Sequence, residues 1–137
     1  MSLISVMGGM TKPCAASSGI KYKSALIFDT STHGNVKMPA GVGVGFAGFA
    51  LEDASAANQV AVQLVGVAKG MSDGSAAINP GDALIIADTT GRLKSKSISN
   101  GTTIYQVVGY CVDNAQIAAT ANLDVSVWIA PCTLAAT

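Results

Sequence analysis

Two short acidic segments contain the residue types that could do chemistry. Phe28-Asp29-Thr30-Ser31 and Asp88-Thr89-Thr90-Gly91 each place an aspartate beside hydroxyl residues at the end of an apolar run. Two carboxylates that share a proton can act as general acid and base. The two segments do not match each other, however. The first contains no glycine, and the second has an additional threonine before its glycine. Asx-type turns between strands explain both segments, so no catalytic dyad is predicted.

A glycine-rich segment, Gly43-Val44-Gly45-Phe46-Ala47-Gly48, has the spacing of a dinucleotide-binding loop. That loop needs a strand before it, a helix after it and an acid about twenty residues further on. Here a polar turn and a strand are predicted to follow, and no acid lies between Asp53 and Asp73. The spacing is a by-product of glycine alternating with apolar residues, and no cofactor is predicted.

Histidine and cysteine do not form a recognisable metal site. His33, the only histidine, lies in a predicted turn without a local cluster of acids or cysteines. Cys14, Cys111 and Cys132 are too far apart for a metal knuckle, and their odd number does not suggest a disulfide framework. We interpret them as buried or incidental thiols of a reducing cytoplasm. With no active site recognised, the chain is predicted not to be an enzyme.

Composition narrows the possible partners. The chain has 137 residues, the size of one domain, with eight basic and eight acidic side chains and no net charge. Neither nucleic acid nor an anionic membrane is therefore a predicted partner. No secretion signal is recognised. The longest apolar run, residues 38–51, is too short and too rich in glycine for a membrane span. The expectation is a soluble protein made inside a cell.

Two similar segments organise the chain. Residues 48–66 and the segment from Gly109 each read as a short strand, a polar turn and a strand with strict alternation. Gly48 matches Gly109, and after a slip of two residues Val60 matches Leu123. The matching turns, at residues 52–53 and 113–114, are interpreted as corners of one closed β body. The predicted fold is all-β, a small closed barrel or sandwich.

The remaining elements follow from turn signals and alternation. Residues 1–23 are predicted to be an extended N-terminal arm and residues 24–137 the β core. Residues 69–77 are predicted to be a polar connection and residues 131–137 a tail. Short helical turns at 54–57 or 116–121 are an alternative to polar turns. Strands are predicted at residues 24–29, 36–38, 41–51, 59–67, 83–87, 92–97, 104–112 and 123–129.

The core from about Gly41 to Ile129 resembles the capsid decoration, or cement, proteins of tailed phages, small head proteins often described only as a domain of unknown function. The segments that carry the resemblance, in order, are Gly48-Phe-Ala-Leu-Glu-Asp-Ala54, Val60-Ala-Val-Gln-Leu64, Asn79-Pro-Gly-Asp-Ala-Leu84, Asp88-Thr-Thr-Gly-Arg-Leu93, Val108-Gly-Tyr110 and residues 123–129. Order and spacing agree over roughly two-thirds of the chain.

The resemblance implies a β body that binds the outside of an icosahedral phage head and cements neighbouring major capsid subunits. It implies a homotrimer, with a dimer as the alternative, and neither catalysis nor a cofactor. The protein would be made in the host cytoplasm and end on the outer capsid surface of the virion. The alternative function is a receptor- or glycan-binding β module on a virion fibre. Against that alternative, Trp128 is predicted to lie in an alternating core strand.

Basic side chains are the predicted contacts with the capsid. Three of them, Arg92, Lys94 and Lys96, fall on one face of a strand by its period of two. Alternatively, this stripe is a solvated face that protects an edge strand from pairing. The complete set of contact candidates is Lys12, Lys21, Lys23, Lys69, Arg92, Lys94 and Lys96.

Overall fold

A computed structural model describes residues 11–41, 46–96 and 104–135, and this part of the chain is all-β, without an α-helix. Alternating apolar residues between Gly, Pro, Asn and Asp turns favour short strands over helices. The strands are β1 Thr11–Ala16, β2 Ala25–Phe28, β3 Asn35–Lys37, β4 Gly48–Ala50, β5 Gln59–Gln63, β6 Val67–Met71, β7 Ala83–Ile86, β8 Leu93–Ser95, β9 Ile104–Cys111 and β10 Asp124–Ala135.

The ten strands form two sheets. The first is a closed barrel in the order β1-β3-β2-β4-β5, and the second is a five-stranded sheet in the order β6-β10-β9-β7-β8. The predicted all-β class with a closed barrel is confirmed. The two similar segments, however, do not share one closed body, because β4 and β5 lie in the barrel while β9 and β10 lie in the second sheet.

The second sheet repeats the topology of the barrel. If β6 to β10 are matched with β1 to β5, both sheets have the same order of strands. The barrel closes through a parallel pair, in which Ala16 lies opposite Val36. At the equivalent place the described residues of the second sheet form a single parallel bridge, between Ser72 and Leu93. The second sheet is therefore an incompletely closed copy of the barrel.

Turn geometry is repeated as well. Ala57 and Asn122, which lead into β5 and β10, both have left-handed backbone, with φ of 71° and 65°. Ala57 N donates to Ala16 O at 2.8 Å, and Asn122 N donates to Ser72 O at the same distance. L-amino acids other than glycine rarely adopt this backbone conformation. Its occurrence at both equivalent positions therefore indicates that the two halves have the same fold.

Gly48 and Gly109, which the sequence matched with each other, occupy equivalent close approaches between strands. A Cβ on Gly48 would overlap Val62 Cγ1 and lie 2.6 Å from Gln63 O. A Cβ on Gly109 would overlap the carbonyl oxygen of Trp128. Glycine is therefore needed at both positions, because a side chain would separate β4 from β5 and β9 from β10.

Two hydrophobic cores hold the molecule together. The barrel core contains small and branched residues such as Leu26, Val36 and Val60. The second core fills the inner face of the second sheet, but it also contains Ala25, Ile27 and Phe49 from the barrel. The open side of the second sheet is thus closed by the outer surface of the barrel. The second core is therefore shared by the two halves.

The predicted arm differs from the structure from residue 11 onward. β1 pairs antiparallel with β5 and parallel with β3, and its Cys14 and Ala16 are buried in the barrel core. Pro13 suggested an interruption. It is tolerated opposite Ala61, on a stretch of β1 whose described pairing with β3 begins only at Ala15. The part of the predicted arm at residues 1–10 lies outside the described residues.

Two other predicted segments belong to strands. Residues 69–71 of the predicted connection lie in β6, and residues 131–135 of the predicted tail lie in β10. The register between β10 and β9 shifts between Ile129 and Cys132. This irregularity accommodates Pro131, which cannot donate to a regular ladder.

Candidate functional site

The acidic side chains are used to hold turns and strand ends. Seven of the eight acids accept a hydrogen bond from a backbone N–H: Asp29, Glu52, Asp53, Asp73, Asp82, Asp88 and Asp113. The eighth, Asp124, accepts from Lys23 Nζ at 2.7 Å. Since hydrogen bonds to a carboxylate are strong, these acids stabilise the fold. Each of them already has a partner within the chain.

The two aspartates weighed as a catalytic dyad are each held by their own turn. Asp29 Oδ1 accepts from Ser31 N at 2.9 Å, and Asp88 Oδ1 accepts from Thr90 N at 3.0 Å. These are the Asx turns that the sequence indicated. The Ser17 hydroxyl, the Ser31 amide and Lys37 lower the pKa of Asp29. Both carboxylates are therefore accounted for by structural contacts.

Asp88 also binds Arg92, one of the predicted contact residues. Arg92 Nε donates to Asp88 Oδ2 at 2.8 Å across one turn. Partial burial opposes ionisation of Asp88, but hydrogen bonds from Thr90 and Arg92 outweigh it and lower the pKa of the carboxyl. The guanidinium also reaches Asn122 Oδ1 at 3.5 Å. Arg92 thus joins the β7–β8 turn to the turn before β10.

Lys23 is likewise occupied within the molecule. Its Nζ forms an ion pair with Asp124 at 2.7 Å, which raises the pKa of Lys23, and lies 5.2 Å from the ring centre of Tyr22. The pair bridges the barrel and the start of β10. Lys23 therefore lies at the surface but already has an ion-pair partner within the molecule.

Of the other predicted contacts, the four whose side chains are described lie in three places. Lys21 is exposed at the end of the barrel, and Lys69 is exposed on β6, where Nζ donates to Ser126 Oγ at 3.0 Å. Lys94 is half-buried on β8, an edge strand of the second sheet, and Lys96 follows that strand. Lys12 lies opposite Val62 in β1, and its side chain lies outside the described residues. The stripe of Arg92, Lys94 and Lys96 therefore borders a sheet edge.

Two surface grooves accompany these side chains. One, of about 600 Å³, is lined by Lys21, Glu52 and Asp53 at the end of the barrel. The other, of about 320 Å³, is apolar and lies between β2 and β9, with Phe28 and Phe46 in its wall. Phe28 is 58% exposed. Both grooves are shallow surface features.

A partly exposed apolar row on the second sheet was missed by the sequence analysis. Trp128 lies opposite Val67 of β6 and Tyr110 of β9, and Tyr110 lies opposite Ala83 of β7. We call these four residues the outer row. Trp128 is 54% exposed, which makes the prediction of a core tryptophan wrong. Its neighbours Val125, Val127 and Ile129 face the core. Alternation identified the strand but did not show which of its two alternating sets of residues faces the core.

Other candidate chemistry has a structural explanation in the described residues. His33 is an exposed turn residue, as predicted. All three cysteines are free; Cys14 and Cys111 are buried, and burial raises the pKa of the Cys111 thiol. Within residues 11–41, 46–96 and 104–135, no group of three His, Cys, Asp or Glu side chains could hold a metal ion. No helix of sufficient length and apolarity to cross a membrane occurs in this same part of the chain.

Comparison with known proteins identifies the fold. The family model described as phage cement protein matches residues 9–127. No curated protein matches the sequence. A solved structure with the same fold is the N base of head fiber gp8.5 in bacteriophage phi29. It has a TM-score of 0.61 and 16% identity, and the match covers 88% of this chain and 93% of that chain.

Proposed function

The chain belongs to the phage cement protein family, and from this premise we propose that it binds the outer surface of an icosahedral phage head and cements neighbouring major capsid subunits. The family match over residues 9–127 is the observation that carries the proposal. Membership makes the chain a structural protein of the phage virion that associates with the capsid. Its place on the outer surface, after synthesis in the host cytoplasm, is part of the proposal.

The distribution of charge supports a docking role. The acids are tied to backbone amides or to Lys23. Lys21, Lys94 and Lys96, by contrast, have no ion pair within the described part of the chain. These cations can reach carboxylates of the shell without giving up an internal partner. Each such exposed pair adds only about 0.2–1 kcal/mol, so affinity would come from several contacts made together on a repeating lattice.

The oligomeric part of the proposal is a homotrimer, with a dimer as the alternative. A symmetric oligomer would present the same basic edges several times and so match the repeated subunits of a shell. The absence of net charge in the chain keeps electrostatic repulsion between copies small.

Binding to undecorated, expanded heads tests the function. Purified protein should bind saturably at stoichiometric occupancy, and rising salt should weaken binding because exposed charges are screened. No binding at any salt concentration would contradict the proposal.

The contact residues are tested by Lys94→Ala combined with Lys96→Ala. Loss of two surface ion pairs with the shell should weaken head binding about fivefold. Lys37→Ala is the matched control for lost charge, because Lys37 already lies 3.7 Å from Asp29 within the barrel. Equal weakening by the control would assign the effect to overall charge rather than to the β8 edge.

A receptor- or glycan-binding module is the second candidate, and one observation favours it. The half-exposed Trp128 beside Tyr110 offers the kind of aromatic surface on which a sugar ring can stack. Screening the protein on a glycan array distinguishes the two functions, since specific hits together with absent head binding would favour this second candidate.

A further inference from the structure

The β7–β8 hairpin has the same register as the β2–β3 hairpin of the barrel. In the barrel, Lys37 of β3 lies opposite Ile27 of β2. In the second sheet, Lys94 of β8 lies opposite Ile85 of β7. Since both halves also have the same order of strands, Lys94 occupies the position of Lys37. Both lysine side chains are half-buried.

The residue diagonally across from this lysine differs between the two halves. In the barrel it is Asp29, whose N donates to Asn35 O at 3.0 Å. The equivalent contact in the second sheet runs from Ala87 N to Arg92 O at 2.7 Å. Asp29 and Ala87 are similarly buried, at 9% and 8% exposure. The second hairpin therefore keeps the cation but has no carboxylate at the matching position.

This difference leaves Lys94 without the partner that its counterpart has. Lys37 Nζ lies 3.7 Å from Asp29 Oδ1, whereas Lys94 forms no ion pair within residues 11–41, 46–96 and 104–135. All eight acidic side chains of the chain belong to these residues. No other aspartate or glutamate of the same chain is therefore left to supply the missing partner.

The two acids that flank β8 are engaged elsewhere. Asp88 lies in the turn before the strand and accepts from Arg92 Nε at 2.8 Å. Asp73, whose backbone bonds to the start of β8, accepts from Ser75 N at 3.1 Å and from Ser75 Oγ at 2.9 Å. Because hydrogen bonds to carboxylates are strong, neither acid is readily transferred to Lys94.

We propose that a carboxylate of the shell completes this site. An aspartate or glutamate of the major capsid protein binds Lys94 beside Ala87, in the place that Asp29 has beside Lys37. β8 is an edge strand of the second sheet, so the ammonium group can be approached from outside the sheet. A half-buried ion pair is screened less by water than a fully exposed one. This inference rests on the proposed function and distinguishes Lys94 from the other contact candidates.

Carbodiimide cross-linking of wild-type protein on undecorated heads tests the contact directly, because the reagent joins an amine to a carboxylate that lies against it. Mass spectrometry should identify a peptide that links Lys94 to an aspartate or glutamate of the major capsid protein. Lys37 is the internal control and should form no link to the shell, since Asp29 already occupies it. Links through Lys21 or Lys96 without one through Lys94 would overturn the inference and leave the proposed function standing.

Ala87→Asp supplies the missing acid within the chain and so restores the arrangement of Asp29 and Lys37. The new carboxylate should pair with Lys94, abolish its cross-link to the shell and weaken head binding about threefold. Ala118→Asp is the matched control, because it adds the same acid at an exposed alanine outside the β7–β8 hairpin. It should leave both the cross-link and the affinity unchanged.

Lys94→Glu keeps the test decisive if Ala87→Asp does not fold. It brings an acid against the carboxylate of the shell and should weaken binding about tenfold, whereas Lys94→Arg keeps the charge and should bind nearly as wild type does. If Ala87→Asp and Lys94→Glu both bind heads like wild type, the Lys94 site is overturned and the proposed function stands. If wild-type protein does not bind heads at all, both are overturned.

Discussion

Gly91 is one of the residues at which the second sheet meets the barrel. Its φ is +75°, its carbonyl oxygen accepts from Ala25 N at 2.9 Å, and a Cβ there would lie 2.7 Å from Ala25 O. Gly91→Ala should therefore lower the free energy of unfolding by about 2–4 kcal/mol, from left-handed strain together with the steric clash. Urea denaturation measures this change.

Gly34 provides the control for that experiment. It occupies the equivalent turn of the barrel with φ of +85°, but a Cβ there would meet nothing within 4 Å. Gly34→Ala should cost only the backbone strain of about 1 kcal/mol. Equal effects of the two substitutions would show that the approach of Gly91 to the barrel does not matter for stability.

Asp29 and Asp88 should make folding sensitive to acid. Structural hydrogen bonds lower the pKa of both carboxyls in the folded protein. Each therefore contributes stability above the pKa of an unfolded aspartate, about 3.9, and loses that contribution as pH falls through the lower folded value. Thermal unfolding followed between about pH 6 and pH 2 should show falling stability below about pH 4.

Substitution identifies the source of this acid sensitivity. Asp88→Asn keeps an oxygen that can accept from Thr90 N but loses the ionic contact with Arg92. It should flatten the acid limb of the stability curve at a cost of about 1 kcal/mol or less near neutral pH. An unchanged acid limb would contradict a role for Asp88.

Residue-scale features were predictable where their cause is local. The Asx turns at Asp29 and Asp88 follow from residues two positions apart and were identified as turns from sequence. The exposure of Trp128 depends on which face of β10 the barrel covers. That is a tertiary fact, so alternation alone assigned it to the wrong face. The capsid contacts remain a prediction for the same reason, since the partner is not encoded locally.

At the scale of elements, β1 shows what sequence pattern does and does not predict. The β7–β8 hairpin was predicted because its turn residues and alternation are contiguous, and its strands pair as expected. β1 pairs with β5, more than forty residues away in the chain, and contains Pro13. Such long-range pairing leaves little local signal, particularly where proline argues against a strand.

Truncation tests whether β1 belongs to the barrel. Removing residues 1–10 leaves every described pair of the barrel intact and should preserve a cooperative melting transition. Removing residues 1–16 deletes one of five barrel strands and exposes Val60 and Val62, which are otherwise fully buried. This variant should lose cooperative unfolding, measured by circular dichroism. If both truncations melt alike, β1 is dispensable for the barrel.

At the scale of the whole molecule, the repeat explains why two β bodies behave as one domain. The second sheet is not closed by its own strands, because β6 and β8 are joined within the described residues by a single bridge, Ser72 to Leu93. Phe49 of the barrel completes its core. The sequence showed the repeat through Gly48 and Gly109. It did not show that the first copy forms a closed barrel while the core of the second copy is completed by barrel residues. That difference depends on how the two copies pack against each other.

Phe49→Ala is the substitution that should uncouple the two halves. Phe49 lies in a barrel strand but packs in the second core, where it meets Phe46 at 5.1 Å between ring centres. Its truncation should cost about 3–5 kcal/mol and fall mainly on the second sheet. Calorimetry should then resolve two transitions, where the wild-type protein with its shared core gives one.

Val62→Ala is the control, since Val62 is equally buried but belongs to the barrel core alone. It should lower the melting temperature and keep a single transition, because it leaves the contact between the halves intact. A single transition for Phe49→Ala as well would mean that the halves remain coupled through other contacts, such as the Gly91 turn and the Lys23–Asp124 pair. Combining Phe49→Ala with Lys23→Ala then tests that route, and two transitions in the double variant would assign the remaining coupling to the ion pair.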